Sequence, residues 1–99
     1  MNEQPTYDDL YEALSSVTKR AIIQALEEYD SDYPNNDYEN WLENTNYKYA
    51  VNYKGRIYPP KYIMGKATNI WWRCFSGGWG PYGVNGPFER EGFTITDKT

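Results

Sequence analysis

The hydrophobic periodicity of this 99-residue chain changes at Tyr47, from helical spacing before that residue to alternation after it. Apolar side chains recur three and four positions apart over residues 7–30, as on one face of an amphipathic helix. Over residues 47–54, tyrosine and valine alternate with lysine, asparagine and alanine, which is typical of a half-buried strand. Helices followed by strands in a chain of this length predict one small α+β domain.

Local signals divide the N-terminal half into three predicted helices. Residues 15–18 are rich in Ser and Thr, which favour helix caps, so they predict a break between two helices, with one long helix as the alternative. Residues 31–36 include Pro34-Asn35-Asn36 and predict a loop. Asp37 is then the predicted cap of a short helix over residues 38–45.

Glycine and proline organise the second half of the chain. Gly55 predicts a hairpin turn into a second strand at residues 56–58, and Pro59-Pro60 predicts the start of a further helix. Residues 76–86 predict a Gly-rich loop. A one-turn helix over 88–91 and a strand over 93–95 complete the pattern. The expected architecture is therefore a single domain, residues 1–99, with N-terminal helices packed on a short antiparallel sheet and frayed ends at 1–6 and 97–99.

Composition excludes most catalytic chemistry. The chain has no histidine and one cysteine, so it lacks the commonest general base, the commonest metal ligand and any intramolecular disulfide. We therefore predict no enzymatic activity, no metal and no cofactor. The absence of a signal peptide and of a long apolar run predicts a cytoplasmic protein without a membrane partner.

Charge is distributed unevenly along the chain, although its net value is only -4. Residues 1–46 hold eleven acidic side chains and two basic ones. Residues 47–99 hold eight basic side chains and three acidic ones. This asymmetry predicts a basic binding surface beside an acidic one, with two unrelated solvated faces as the alternative.

The basic half also interleaves cations with aromatic side chains, a combination suited to nucleic acid because cations hold phosphates and aromatic faces stack on bases. Aromatic residues make up 18% of the chain, however, so several of them must fill the core; we expect this of Trp41, Tyr47, Tyr49 and Tyr53. The candidate nucleic-acid contacts are Lys54, Arg56, Tyr58, Lys61, Lys66, Trp71, Trp72 and Arg73.

Two further features extend this candidate surface. Lys61 follows Pro60 at a predicted helix start, where free backbone N–H groups favour a phosphate. Ser76-Gly77-Gly78 could form a nest of backbone N–H groups for an anion, although a tight turn is the favoured interpretation because no Walker sequence follows.

Several of these segments together resemble the N-terminal head domain of ScoMcrA-type modification-dependent restriction endonucleases. The similarity covers about residues 17–96. Its most specific part is the spacing Gly-x-x-Tyr-x-x-Lys-x-Ile-x-Gly-x-Ala from Gly55 to Ala67 followed by the sequence Phe75-Ser76-Gly77-Gly78. The segment Arg90-Glu91-Gly92-Phe93-Thr94-Ile95 also belongs to the similarity. In that family the head precedes a separate nuclease domain, so the resemblance implies an accessory, DNA-associated module without catalytic activity.

The sequence thus predicts a non-catalytic nucleic-acid-binding module, with DNA favoured as the ligand. The alternative is a protein-interaction factor whose acidic N-terminal half binds a basic partner, as a DNA mimic in phage and host conflict would. The acidic residues between 27 and 43 do not have the spacing of a calcium-binding loop.

Overall fold

The computed structural model describes residues 4–98, which form four α-helices and one three-stranded antiparallel sheet. This arrangement confirms the predicted small α+β fold. The elements are α1 (Tyr7–Ser16), α2 (Lys19–Asp32), β1 (Tyr49–Tyr53), β2 (Arg56–Tyr58), α3 (Pro60–Thr68), α4 (Asn85–Arg90) and β3 (Thr94–Asp97).

The predicted break between the first two helices is confirmed. Thr18 lies between α1 and α2 in an extended conformation, and its hydroxyl accepts a hydrogen bond from the Ala21 N–H at 3.1 Å. At the start of α1, Thr6 and Asp9 form a reciprocal capping box. This capping box attaches Thr6 to the first turn of α1. The predicted fraying of residues 1–6 stays a prediction, and residues 1–3 lie outside the described part of the chain.

The predicted helix over residues 38–45 is wrong. Only a single 3-10 turn forms, at Tyr38–Asn40, and Asp37 makes no side-chain capping bond. Glu39 and Asn40 adopt left-handed backbone conformations with φ of 46° and 54°, which a regular helix does not allow. The irregular backbone accompanies the burial of Trp41, whose side chain is fully enclosed.

Strand β1 lies at the centre of the sheet, between β2 and β3. The hairpin between β1 and β2 is confirmed: Tyr53 pairs with Arg56, and the two turn residues, Lys54 and Gly55, have φ of 52° and 80°. Two successive positive φ values are the mark of a type I′ turn. The expected alternation of burial fails in the middle of β1, where Ala50 and Val51 are both fully buried, so both faces of the strand are covered there.

The C-terminal part follows the prediction with one shift. Helix α3 begins at Pro60 as expected, but α4 begins at Asn85, three residues earlier than predicted. Pro87 is compatible with this earlier start because it lies in the first turn, where backbone N–H groups have no partner within the helix. Gly92, with φ of 92°, ends this segment before β3.

The predicted fraying of residues 97–99 also stays a prediction, although the two of these residues that the structure describes form hydrogen bonds with neighbouring segments. Asp97 belongs to β3, and the Lys98 N–H donates to the Lys48 carbonyl at 2.9 Å. The Lys98 ammonium donates to the Trp41 carbonyl and, at 2.6 Å, to the Asn44 carbonyl. Burial lowers the pKa of this ammonium group. Lys98 therefore fastens the segment around Trp41 to the sheet, while residue 99 lies outside the described part.

A single asparagine connects the two largest side chains of the core. Tyr29 and Trp41 are both fully buried. The Tyr29 hydroxyl and the Trp41 indole N–H both donate to Asn36 Oδ1, at 2.8 and 2.9 Å, and Asn36 Nδ2 donates to the Ile57 carbonyl at 2.9 Å. The Asn36 side chain thus forms hydrogen bonds with polar groups of α2, of the following loop and of β2. The prediction that Trp41 is a core residue is confirmed.

We predict that Asn36→Gly destabilises the domain by about 3 kcal/mol, because each buried polar group left without a partner costs about 1–3 kcal/mol. Glycine is chosen because Asn36 has φ of 57°, where alanine would add backbone strain. The measurement is urea denaturation followed by tryptophan fluorescence. Asn35→Gly is the matched control, since Asn35 is exposed; equal losses for the two variants would contradict the role of the Asn36 amide.

Arg90 and Glu91 attach the C-terminal segment to the junction of α1 and α2. The Arg90 guanidinium donates to the Leu14 carbonyl at 2.8 Å and to the Val17 carbonyl at 2.9 Å. It also pairs with Glu91 at 2.8 Å, and Glu91 in turn accepts from the Lys19 N–H at 2.9 Å. The two side chains therefore provide hydrogen-bond partners for backbone carbonyl groups at the end of α1 and for a backbone N–H group in the first turn of α2.

The hydrogen bond from Arg90 lowers the pKa of the Glu91 carboxyl below its usual value of 4.5. Because the fold favours the ionised form, this stabilisation is present above pH 4.5 and is lost as the pH falls through the lower folded-state pKa. We predict that Glu91→Gln is less stable than the wild type at neutral pH, and that the difference shrinks below about pH 4. Thermal unfolding across this range provides the measurement, and a difference independent of pH would contradict it.

Candidate nucleic-acid interface

A cleft of about 600 Å³ lies between the start of α3, the beginning of β1 and the Gly-rich loop. Three cationic side chains line it: Lys48 before β1, Lys61 in the first turn of α3, and Arg73 after α3. No carboxylate lines the cleft, and none of the three cations forms a salt bridge among residues 4–98. The cleft is therefore a locally positive concavity in a protein of net negative charge.

Trp72 supplies the largest aromatic surface of the cleft. Its ring lies half-buried, with the Arg73 guanidinium 4.8 Å and the Lys61 ammonium 5.6 Å from ring centroids. These distances allow cation–π attraction, which groups the two charges around one ring. Both cations lie over the ring, so a base stacks on Trp72 by displacing one of them, and the displaced cation can then hold the phosphate of that base.

Gly65 explains how Trp72 reaches this position. A Cβ atom at Gly65 would lie 2.8 Å from the Ile70 carbonyl oxygen and 3.1 Å from Trp72 Cβ. Only glycine therefore allows the segment after α3 to pass so close to the helix. This glycine occurs in the spacing that carries the family resemblance, but its packing role is apparent only in three dimensions.

The Gly-rich loop is closed by backbone hydrogen bonds and borders the cleft. The Ser76 N–H donates to the Tyr82 carbonyl at 3.1 Å, and Gly78, with φ of 79°, accepts from the Asn85 N–H at 3.0 Å. A Cβ at Gly83 would lie 2.4 Å from the Gly78 oxygen, so the loop requires glycine there. Gly77 and Gly78 line the cleft, whereas Ser76 is exposed beside it. This geometry agrees with the turn that the sequence favours.

Two tyrosines complete the aromatic lining. Tyr47 and Tyr49 are half-buried and line the cleft. The expectation that the ring packs on the core is confirmed for Tyr47, whereas Tyr49 is not among the residues packed against the core. Burial raises the pKa of the Tyr47 hydroxyl, which remains neutral at physiological pH. The Tyr49 ring meets Trp79 edge to face at 5.1 Å, and the Trp79 indole N–H donates to Glu89 at 2.7 Å.

Arg56 and Tyr58, both predicted to contact nucleic acid, are instead used within the fold. Arg56 lies 3.3 Å from Asp30 and donates to the Tyr33 carbonyl at 3.0 Å. Tyr58 is 2% exposed, and its hydroxyl donates to the Asp30 carboxylate at 2.9 Å. Burial, with the Asp30 contact, raises the pKa of Tyr58 to about 12. Both side chains therefore attach β2 to α2.

Lys66 has a similar structural role, because its ammonium lies 3.6 Å from both Glu28 and Asp32 on α2. Local sequence could not show this pairing, since the partners are more than thirty residues away. These ion pairs join α2 to α3. Through them the positive charge of Lys66 neutralises part of the negative charge of α2.

Two other predicted contacts remain exposed but lie away from the cleft. Lys54 occupies the hairpin turn, and Trp71 is 61% exposed. One of the adjacent tryptophans was expected to face outward, and this is confirmed for Trp71, although the segment starting at Trp72 is a 3-10 turn and not a strand. Of the predicted set, the structure brings together Lys61, Trp72, Arg73, Gly77 and Gly78.

The sequence analysis missed Asn85 in the wall of the cleft. Asn85 is 1% exposed, and neither its amide nitrogen nor its amide oxygen has a hydrogen-bond partner within residues 4–98. Its position in a Gly-rich stretch indicates only a turn, so no local signal could have identified it.

Comparison with protein-family models, curated proteins and solved structures gives no match. Across residues 4–98, no three His, Cys, Asp or Glu side chains come together in a way that could hold a metal ion. No helix in the same range is long and apolar enough to cross a bilayer. The function is therefore inferred from the geometry of the cleft.

Proposed function

We propose that this chain is a non-catalytic nucleic-acid-binding module that receives the strand in the cleft beside Trp72. The observation that supports this proposal best is the grouping of Lys48, Lys61 and Arg73 around aromatic faces, with no carboxylate in the lining. Phosphates are attracted to such a group of unpaired cations, and exposed bases stack on the rings.

The absence of catalysis is the second part of the proposal, and it rests on composition. Without histidine, and with Cys74 as the one thiol, the chain offers no usual nucleophile and base pair. The preference for DNA over RNA rests on the resemblance to the restriction-endonuclease head domain. An accessory module of this type contributes binding, and a partner or a further domain supplies the reaction.

The acidic alternative has weaker support. Three carboxylates of α2, those of Glu28, Asp30 and Asp32, lie 3.3 to 3.6 Å from Arg56 or Lys66. They are therefore partly neutralised within the domain and do not form an uninterrupted negative face. Binding of a basic protein by the N-terminal half remains a prediction from the charge distribution alone.

We predict weak binding to short oligonucleotides that decreases with salt. Three phosphate contacts give a slope of log affinity against log salt of about −2 for single strands and about −2.7 for duplex. Fluorescence anisotropy of a labelled oligonucleotide, titrated between low and physiological salt, measures this slope. An affinity that does not change with salt would contradict phosphate contacts in the cleft.

A matched pair of charge reversals tests the location of the site. We predict that Lys61→Glu weakens oligonucleotide binding at least about tenfold, whereas Lys54→Glu changes it about twofold or less, because only a charge at the site contacts phosphate. Both variants change the net charge equally. Lys54 lies about 17 Å from the cleft end of β1, at about 3.3 Å of strand per residue.

Both variants are compared at one ionic strength, with circular dichroism confirming that the fold is intact. Lys98 would not serve as the control, because its side chain binds the Trp41 and Asn44 carbonyls. Equal losses for Lys61→Glu and Lys54→Glu would mean that overall charge, and not the cleft, governs binding.

A further inference from the structure

The buried amide of Asn85 is the least expected feature of the cleft. Its side chain is enclosed, yet its oxygen and nitrogen find no partner among the described residues. Asn36 provides a direct contrast, because its amide makes three hydrogen bonds within the core. Buried polar groups are usually paired, since an unpaired one destabilises the fold. The Asn85 amide therefore has no hydrogen-bond partner that residues 4–98 supply.

The surroundings of Asn85 indicate the chemistry of that partner. Asn85 lines the cleft together with Trp72, Lys61 and Arg73. Its amide atoms are closed from solvent, so a ligand in the cleft reaches them when the wall formed by the Gly-rich loop opens. An amide offers a hydrogen-bond donor and an acceptor side by side. The edges of nucleobases present the same two groups in complementary order, and asparagine pairs with adenine in this way in protein–DNA complexes.

The size of the cleft is also suitable. A volume of about 600 Å³ is within the usual range for sites that enclose one small organic ligand. It is a concavity and not a flat surface, so a base must leave its stack to enter it. Bases in single strands, loops or ends, and bases flipped from a duplex, can do so.

We propose that the cleft holds one unstacked nucleobase, whose edge is hydrogen-bonded by the Asn85 amide. The base stacks on Trp72, and its phosphate lies near Lys61 and Arg73. This inference rests on the proposed nucleic-acid-binding function and adds that the protein reads a base in addition to the backbone. Asn85 is then a specificity-determining residue. Its amide is unpaired in the fold because its hydrogen-bond partner is the bound base.

The experiment compares two single-stranded DNA oligonucleotides of equal length, one normal and one in which every base is replaced by an abasic tetrahydrofuran unit. The two strands carry the same phosphates, so any difference in affinity reports on bases. We expect the wild type to bind the normal strand about tenfold more tightly, which is the scale of one stacked and hydrogen-bonded base.

Asn85→Leu, which keeps the branched shape at a larger volume, removes the amide, and Asn85→Ala removes it without any risk of overpacking. We expect both variants to lose the hydrogen-bonded part of the preference for the normal strand and to keep the part that stacking on Trp72 supplies, with unchanged affinity for the abasic strand. We also expect Asn85→Leu to melt at the same temperature as the wild type or higher, because it replaces an unpaired buried amide by an apolar group.

The outcomes separate the two proposals. If the wild type binds neither strand, the proposed function fails, and this inference fails with it. If it binds both strands equally and with salt dependence, the function stands and the base pocket is wrong. If both Asn85 variants keep the wild-type preference, or if both unfold at markedly lower temperature, the amide does not read a base.

Discussion

The fold depends on satisfying the polar atoms of buried aromatic side chains. Tyr29 and Trp41 fill the centre of the domain, and each brings a hydrogen-bond donor into a region without solvent. The Asn36 amide accepts both donors and binds β2 through the Ile57 carbonyl. A chain with few aliphatic residues can use tyrosine and tryptophan as core residues only where such partners exist. This requirement explains the irregular backbone on either side of Trp41.

Ion pairing divides the basic residues into two groups. Arg56 and Lys66 face the carboxylates of α2 and hold the N-terminal helices against β2 and α3. Lys48, Lys61 and Arg73 have no such partners and surround the cleft. The positive charge available to a ligand is therefore local, and the net charge of the chain does not describe it.

Asn36 and Asn85 differ in how their amides are paired. Asn36 is fully paired within the core, so it contributes to folding. Asn85 is more deeply buried than Asn36 but unpaired, and it lines the cleft with the cations and Trp72. Buried polar groups without hydrogen-bond partners are expected at functional sites, where a ligand supplies the missing hydrogen bonds. Two glycines permit this arrangement: Gly83 allows close approach of the Gly78 carbonyl within the loop, and Gly65, in α3, leaves room for Trp72.

Periodicity and turn residues in the sequence were enough to predict the break before α2, the hairpin at Gly55, the start of α3 and the α+β class, because each depends on neighbouring residues. Sequence also identified Lys61, Trp72 and Arg73 as candidate contacts. It could not distinguish them from Arg56, Tyr58 and Lys66, which are residues of the same types in the same alternation of cations and aromatic side chains. That distinction depends on which basic side chains meet the acidic face of α2, and such pairings between distant segments exist only once the tertiary structure has formed.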